Sequence, residues 1–145
     1  MEIETGGPMK LFVVLIAIIL PTASFAYPQG TINRNVRQSN IHTTVCVPNW
    51  TDTIRPSWSY TNRIKKLQMK ELGLPGTTLD YQEDHIISLS LGGHPKDIEN
   101  LYPQPWAGPN GAHAKDVVER RLHRQLCAGT ITLEQARQRI SAWQF

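Results

Sequence analysis

The stretch from Asp84 to Lys115 constrains the fold most tightly, because it sets strand, turn, strand and helix signals in one order. It reads Asp84-His85-Ile86-Ile87-Ser88-Leu89-Ser90-Leu91-Gly92-Gly93, then Glu99-Asn100-Leu101-Tyr102-Pro103, then Ala112-His113-Ala114-Lys115-Asp116. Thr78 to Leu91 is strand-like, rich in β-branched and aromatic residues, with Ile87, Leu89 and Leu91 alternating. Gly92-Gly93 permits the positive φ angles of a tight turn. A second strand begins at Leu101-Tyr102, and Pro103 and Pro105 keep it short. Trp106 to Gly111 is a Gly/Pro/Asn loop. From about Ala112 to Cys127 the spacing predicts a long helix. Val118, Leu122 and Leu126 line one face with Val117 alongside, and Gly129 ends it.

The flanking segments carry weaker signals. Tyr27 to His42 is polar and shows no period, so an extended or loose arm is expected. Val45-Cys46-Val47-Pro48 fits a short strand, and Asn49 to Trp58 a turn-rich loop. Trp50, Trp58 and Tyr60 are expected to cover the core, since irregularly spaced aromatics more often pack than stack on a ligand. Ile64, Leu67 and Leu72 predict a helix from about Asn62 to Leu72, stopped by Gly73. Its Lys65, Lys66 and Lys70 either face nucleic acid or form an ordinary solvated face. Thr132-Leu133-Glu134-Gln135 fits a capping box and opens a last helix, with Ala136, Ile140 and Trp143 turned inward.

The first 26 residues have a different logic. Lys10 precedes an unbroken run of ten apolar residues, Leu11 to Leu20; Pro21 ends it, and Ser24 and Ala26 stand where a signal peptidase reads. The pattern predicts a signal peptide over 1–26. Spanning a bilayer takes about 20 apolar residues, so no stable membrane insertion is expected once the signal is cleaved. Glu2 and Glu4 suit a signal start poorly, which leaves Met9 as an alternative start. The remainder is expected to be an extended arm over 27–44 and one domain with a modest core over 45–145. The chain carries a formal +3; loss of Lys10, Glu2 and Glu4 with the signal makes it +4. That charge suits a polyanionic partner or serves solubility alone. Cys46 and Cys127 are an even pair in a chain expected to be exported, which predicts a disulfide. Two free thiols or a metal pair are the alternatives, but neither Cys has the near Cys partner that metal clusters use.

Hydrolysis of a phosphodiester needs a water deprotonated and the developing charge stabilised. His85 suits the first task, since imidazole titrates near neutral pH; otherwise it is a core histidine. Asp84 offers hard oxygen ligation for Mg or Mn, with Zn or Ni admitted by mixed ligation; otherwise it is a surface Asp. Consecutive strand residues point to opposite faces, so both reach one site only at a distorted strand end. Lys115 lies close enough in sequence to His113 to touch a phosphate. Arg120, Arg121 and Arg124 form either a further basic surface or a solvated face with Glu119.

Asp84-His85, Gly92-Gly93, Asn100-Leu101 and His113-Ala114-Lys115 resemble the HNH (ββα-metal) nucleases. The wider run from Val45-Cys46 through Tyr60-Thr61-Asn62 to Tyr102-Pro103-Gln104-Pro105-Trp106 and Lys115-Asp116 is similar to small, exported, HNH-like bacterial proteins. The resemblance implies an α+β fold: a small single domain with a central ββα-metal core plus flanking helices. It implies a metal-dependent endonuclease of low sequence specificity, acting on nucleic acid, DNA above RNA. His85 would be the general base and Asn100 the residue that holds its loop. Asp84 would bind one divalent metal (Mg, Mn, Zn or Ni), with His113 or Asn110 as a further ligand. In the common HNH form that ligand follows the middle Asn by about nine positions, whereas His113 follows Asn100 by thirteen. Lys115 and Arg121 would contact nucleic acid. The expected protein is a monomer, exported to the periplasm or secreted. The rival reading is a catalytically inactive HNH-like binding module in the cell envelope.

Overall fold

The computed structural model describes residues 29–143. The expected signal peptide and the start of the arm lie outside the described residues. The described chain is mixed helix and strand, ordered α1 (Trp58–Glu71), β1 (Tyr81–His85), β2 (Leu101–Pro105), α2 (Ala112–Cys127) and α3 (Leu133–Ser141), with short 3-10 turns between. No helix among the described residues is long and apolar enough to cross a membrane.

β1 and β2 form a two-stranded antiparallel sheet, pairing Tyr81 with Pro105 through His85 with Leu101. The expected strand over Thr78–Leu91 is therefore much shorter. After His85 the backbone leaves the ladder, and Leu89–Leu91 close a 3-10 turn. The apolar alternation there serves burial, not pairing: Ile87, Leu89 and Leu91 are all buried. Gly92 at φ +75° ends the turn. A Cβ on Gly93 would fall inside the Ile87 carbonyl, so only glycine lets the two backbone segments touch.

α2 spans the residues its periodicity predicts, and Leu122 and Leu126 are buried on its inner face. Val117, expected alongside them, is largely exposed. α3 opens with the expected capping box: Thr132 Oγ1 accepts from Gln135 N, and Gln135 Oε1 accepts from Thr132 N. α1 starts earlier than expected because Ser57 caps it, accepting from Tyr60 N. Its buried residues are Ile64 and Met69, while Leu67 is half exposed. Gly73, at φ +61°, ends it.

The main core lies between α2, α3, the turn after β1 and the segment before α1. It joins Val36, Ile41 and Val45 to Ile87, Leu91, Leu122, Leu126, Leu133 and Ile140. Part of the expected loose arm is thus core. Its polar sequence hides single apolar residues, and Arg137 holds it from the far side. The Arg137 guanidinium donates to the carbonyls of Leu91, Gly92 and Val36. Val45 to Pro48 forms turns, not the expected strand. Cys46 and Cys127 form the expected disulfide, joining these turns to the end of α2. Trp50 packs on the core as expected, but Trp58 is 77 % exposed at the start of α1.

Candidate functional site

The site grows out of the end of β1. Consecutive residues leave opposite faces of a pleated strand. Asp84 turns toward α2, and His85 toward the loop that follows the Gly-Gly turn. Both are buried.

His85 Nε2 lies 2.9 Å from the carbonyl oxygen of Pro95. A carbonyl only accepts, so Nε2 carries the proton and Nδ1 keeps its lone pair. Burial pulls the imidazole below its ordinary pKa; the Pro95 carbonyl and Asp84 push it up, and the charges of Arg55 and Lys115 push it down. The net direction is down, so His85 is a neutral base at physiological pH. Arg55, exposed ahead of α1, contributes a positive charge that is felt at His85. It stands thirty positions before His85, and no local pattern links the two.

Asn100 holds the His85 loop. It is completely buried and uses its amide on both sides. Its Oδ1 accepts from Ile87 N at 2.9 Å and Thr31 N at 3.3 Å. Its Nδ2 donates to Ile87 O at 3.0 Å and His94 O at 2.8 Å. One side chain thereby ties together the arm, the turn after β1 and the loop carrying Pro95. A serine or leucine there could not make both sets of bonds, because only an amide offers paired donors and acceptor.

On the other face, Asp84 Oδ2 meets Lys115 Nζ at 2.9 Å. The same ammonium donates to His85 O at 2.6 Å and to Glu119 Oε1 at 2.6 Å. Lys115 is 1 % exposed, so the residue expected to touch nucleic acid is instead an internal cation. Burial alone lowers its pKa, but Asp84 and Glu119 outweigh that and hold it above the ordinary lysine value. Glu119, expected on a solvated face, turns inward; burial raises its carboxyl to about 7 against the opposing pull of Lys115. Lys115 and Glu119 are one helical turn apart, a signal present in the sequence.

The expected metal ligands do not gather around Asp84. His113 is exposed, its ring centroid 5.4 Å from that of Trp106. Asn110 is exposed too, and its carbonyl accepts from Gln104 Nε2. Among the described residues, one group of three His, Cys, Asp or Glu side chains brings its ligand atoms within 4.8 Å of one another: Cys46, His123 and Cys127. That group has metal-binding chemistry, but its two sulfurs are the disulfide pair. Arg121 is exposed on α2, free to meet solvent or a polyanion, as are Arg120 and Arg124. Lys65, by contrast, donates to the carbonyls of Thr78 and Tyr81 and braces the entry to β1.

Beside Lys65 lies Glu83, whose two carboxylate oxygens are buried without a hydrogen-bond partner among the described residues. Burial, with Asp84 adding to it and Lys65 opposing, pushes its carboxyl up to about 8.

No family model matches the chain, and no curated protein or solved structure does. The disulfide is compatible with export.

Proposed function

We propose that the protein is an endonuclease that hydrolyses phosphodiester bonds in nucleic acid, DNA above RNA, with His85 as general base. The observation that carries this reading is the held imidazole. Its Nε2–H is pinned by the Pro95 carbonyl, and the loop bearing that carbonyl is held by Asn100. A neutral imidazole with Nδ1 open can take a proton from water, a step usually worth about 10²–10⁴ in rate. Arg55 is an exposed guanidinium whose charge already reaches His85, and guanidinium is well shaped to hold phosphate. The strand-strand-helix order and the Asn100 role agree with the HNH resemblance.

The residues present do not fit the divalent metal that the resemblance implies. Three oxygens converge beside His85, but they converge on the Lys115 ammonium. No step is therefore assigned to a metal. The same observation favours one rival, a binding module that holds nucleic acid without cutting it.

The test is plasmid nicking by the oxidised chain, beside His85→Ala and Arg55→Ala checked for fold by circular dichroism. His85→Ala should lose most of the nicking rate. In the parent the rate should persist below the ordinary histidine range, because His85 stays neutral there. A His85→Ala chain that nicks as fast as the parent refutes this reading. A parent that retards DNA in a gel without nicking it establishes the binding module.

A further inference from the structure

Three oxygens from two elements aim at one point between β1 and α2. Asp84 Oδ2, the His85 carbonyl and Glu119 Oε1 stand 2.9, 2.6 and 2.6 Å from it. Two carboxylates and a carbonyl are the hard oxygen set that Mg²⁺, Mn²⁺ or Ca²⁺ takes. The point is filled by Lys115 Nζ.

We propose that Lys115 is the resident cation of this centre: its ammonium occupies the position of a divalent ion, and the centre works without one. The geometry is complete in itself. An ammonium has three donors, and here each meets one oxygen. All three bonds are charge-assisted or short, and the side chain is shielded from water. A dication cannot join the cage, because it would stand about 3 Å from a buried like charge with little solvent to screen it. Nor can it displace the ammonium cheaply, since a buried lysine torn from its carboxylates has no partner to go to. Among the described residues, neither Asp84 nor Glu119 belongs to a group of three His, Cys, Asp or Glu ligand atoms within 4.8 Å of one another, and His113 packs on Trp106 at the surface.

The cage also has a mechanical consequence. Lys115 bonds the backbone oxygen of His85 while His85 Nε2 bonds Pro95, so α2 fixes the residue from behind. Lys115 is accordingly a positioning residue for His85. Without it, the buried Asp84 carboxylate and the partly buried Glu119 carboxylate face each other and a carbonyl loses its donor. Such a cage would take up a divalent ion from solution.

The assignment of the cation stands on geometry alone, while its bearing on catalysis rests on the nuclease reading. The experiment therefore has two arms. In the first, Mn²⁺ is titrated into the full oxidised chain by calorimetry and by electron paramagnetic resonance. The parent should show no saturable uptake, Lys115→Ala should gain one equivalent, and Lys115→Ala/Asp84→Asn should lose it again. A parent that binds Mn²⁺ and loses it on Asp84→Asn overturns the proposal, as does a folded Lys115→Ala that binds none. Should Lys115→Ala fail to fold, the parent and Asp84→Asn titrations decide. In the second arm, plasmid nicking is followed with and without EDTA. Equal rates support a metal-free centre, and nicking abolished by EDTA and restored by Mg²⁺ overturns it. A chain that never nicks refutes the nuclease reading, and the Mn²⁺ arm still decides the cation.

Discussion

Asn100→Ala is the most informative single change, because one side chain serves both the fold and the proposed base. The substitution removes four hydrogen bonds at a completely buried position, at 2.8 to 3.3 Å. An intramolecular hydrogen bond contributes about 1 kcal/mol net, and a buried group left unpaired costs about 1–3 kcal/mol. Ile87 alone would lose a partner on both its N–H and its C=O. Water entering the vacated space recovers part of this, so the expected loss is about 3–5 kcal/mol. Against a typical total of about 5–15 kcal/mol, the variant should be folded but marginal. Urea denaturation followed by tryptophan fluorescence measures it. The released Pro95 loop should also free His85 Nε2, so imidazole nitrogen shifts should move from a single Nε2–H tautomer toward a mixture. A loss below about 1 kcal/mol, with the tautomer unchanged, would refute the view that Asn100 organises this site.

Two more predictions concern stability. Glu83, at about 8 against a reference of 4.5, holds a proton that the unfolded chain has released, so its contribution is fully present below pH 4.5 and is lost as pH rises toward 8. Ionisation of the unfolded chain at pH 7 makes this worth about 3 kcal/mol, so Glu83→Gln should gain that much relative to the parent between pH 5 and 8, and parallel urea curves would contradict it. The Cys46–Cys127 bond closes a separation of 81 residues; reduction should cost about 4 kcal/mol in the chain-entropy model, and alkylatable thiols in the folded, unreduced chain would show the bond absent.

Local signals in the sequence were sufficient where the chain answers to its neighbours. The span of α2 follows from its apolar spacing, and the Thr132 capping box from residues three apart, because helices are closed by near contacts. The Gly92-Gly93 turn was legible for a similar reason, since glycine marks a backbone no side chain can share. The disulfide followed from cysteine count and expected export, with no geometry needed. Tertiary structure decided the rest. Ile87 to Leu91 carry the alternation of a strand, yet they bury into the core as a turn, because the pattern reports burial and not pairing. Val36 and Ile41 lie in an expected loose polar arm, but Arg137, 101 residues on from Val36, and α3 close over them. Asp84 and Lys115 both carry chemistry in the sequence, one as an expected metal ligand and the other as an expected phosphate contact. Only the packing of α2 against β1 makes them partners, because a charge answers to its nearest opposite in space, and that distance is set by the fold.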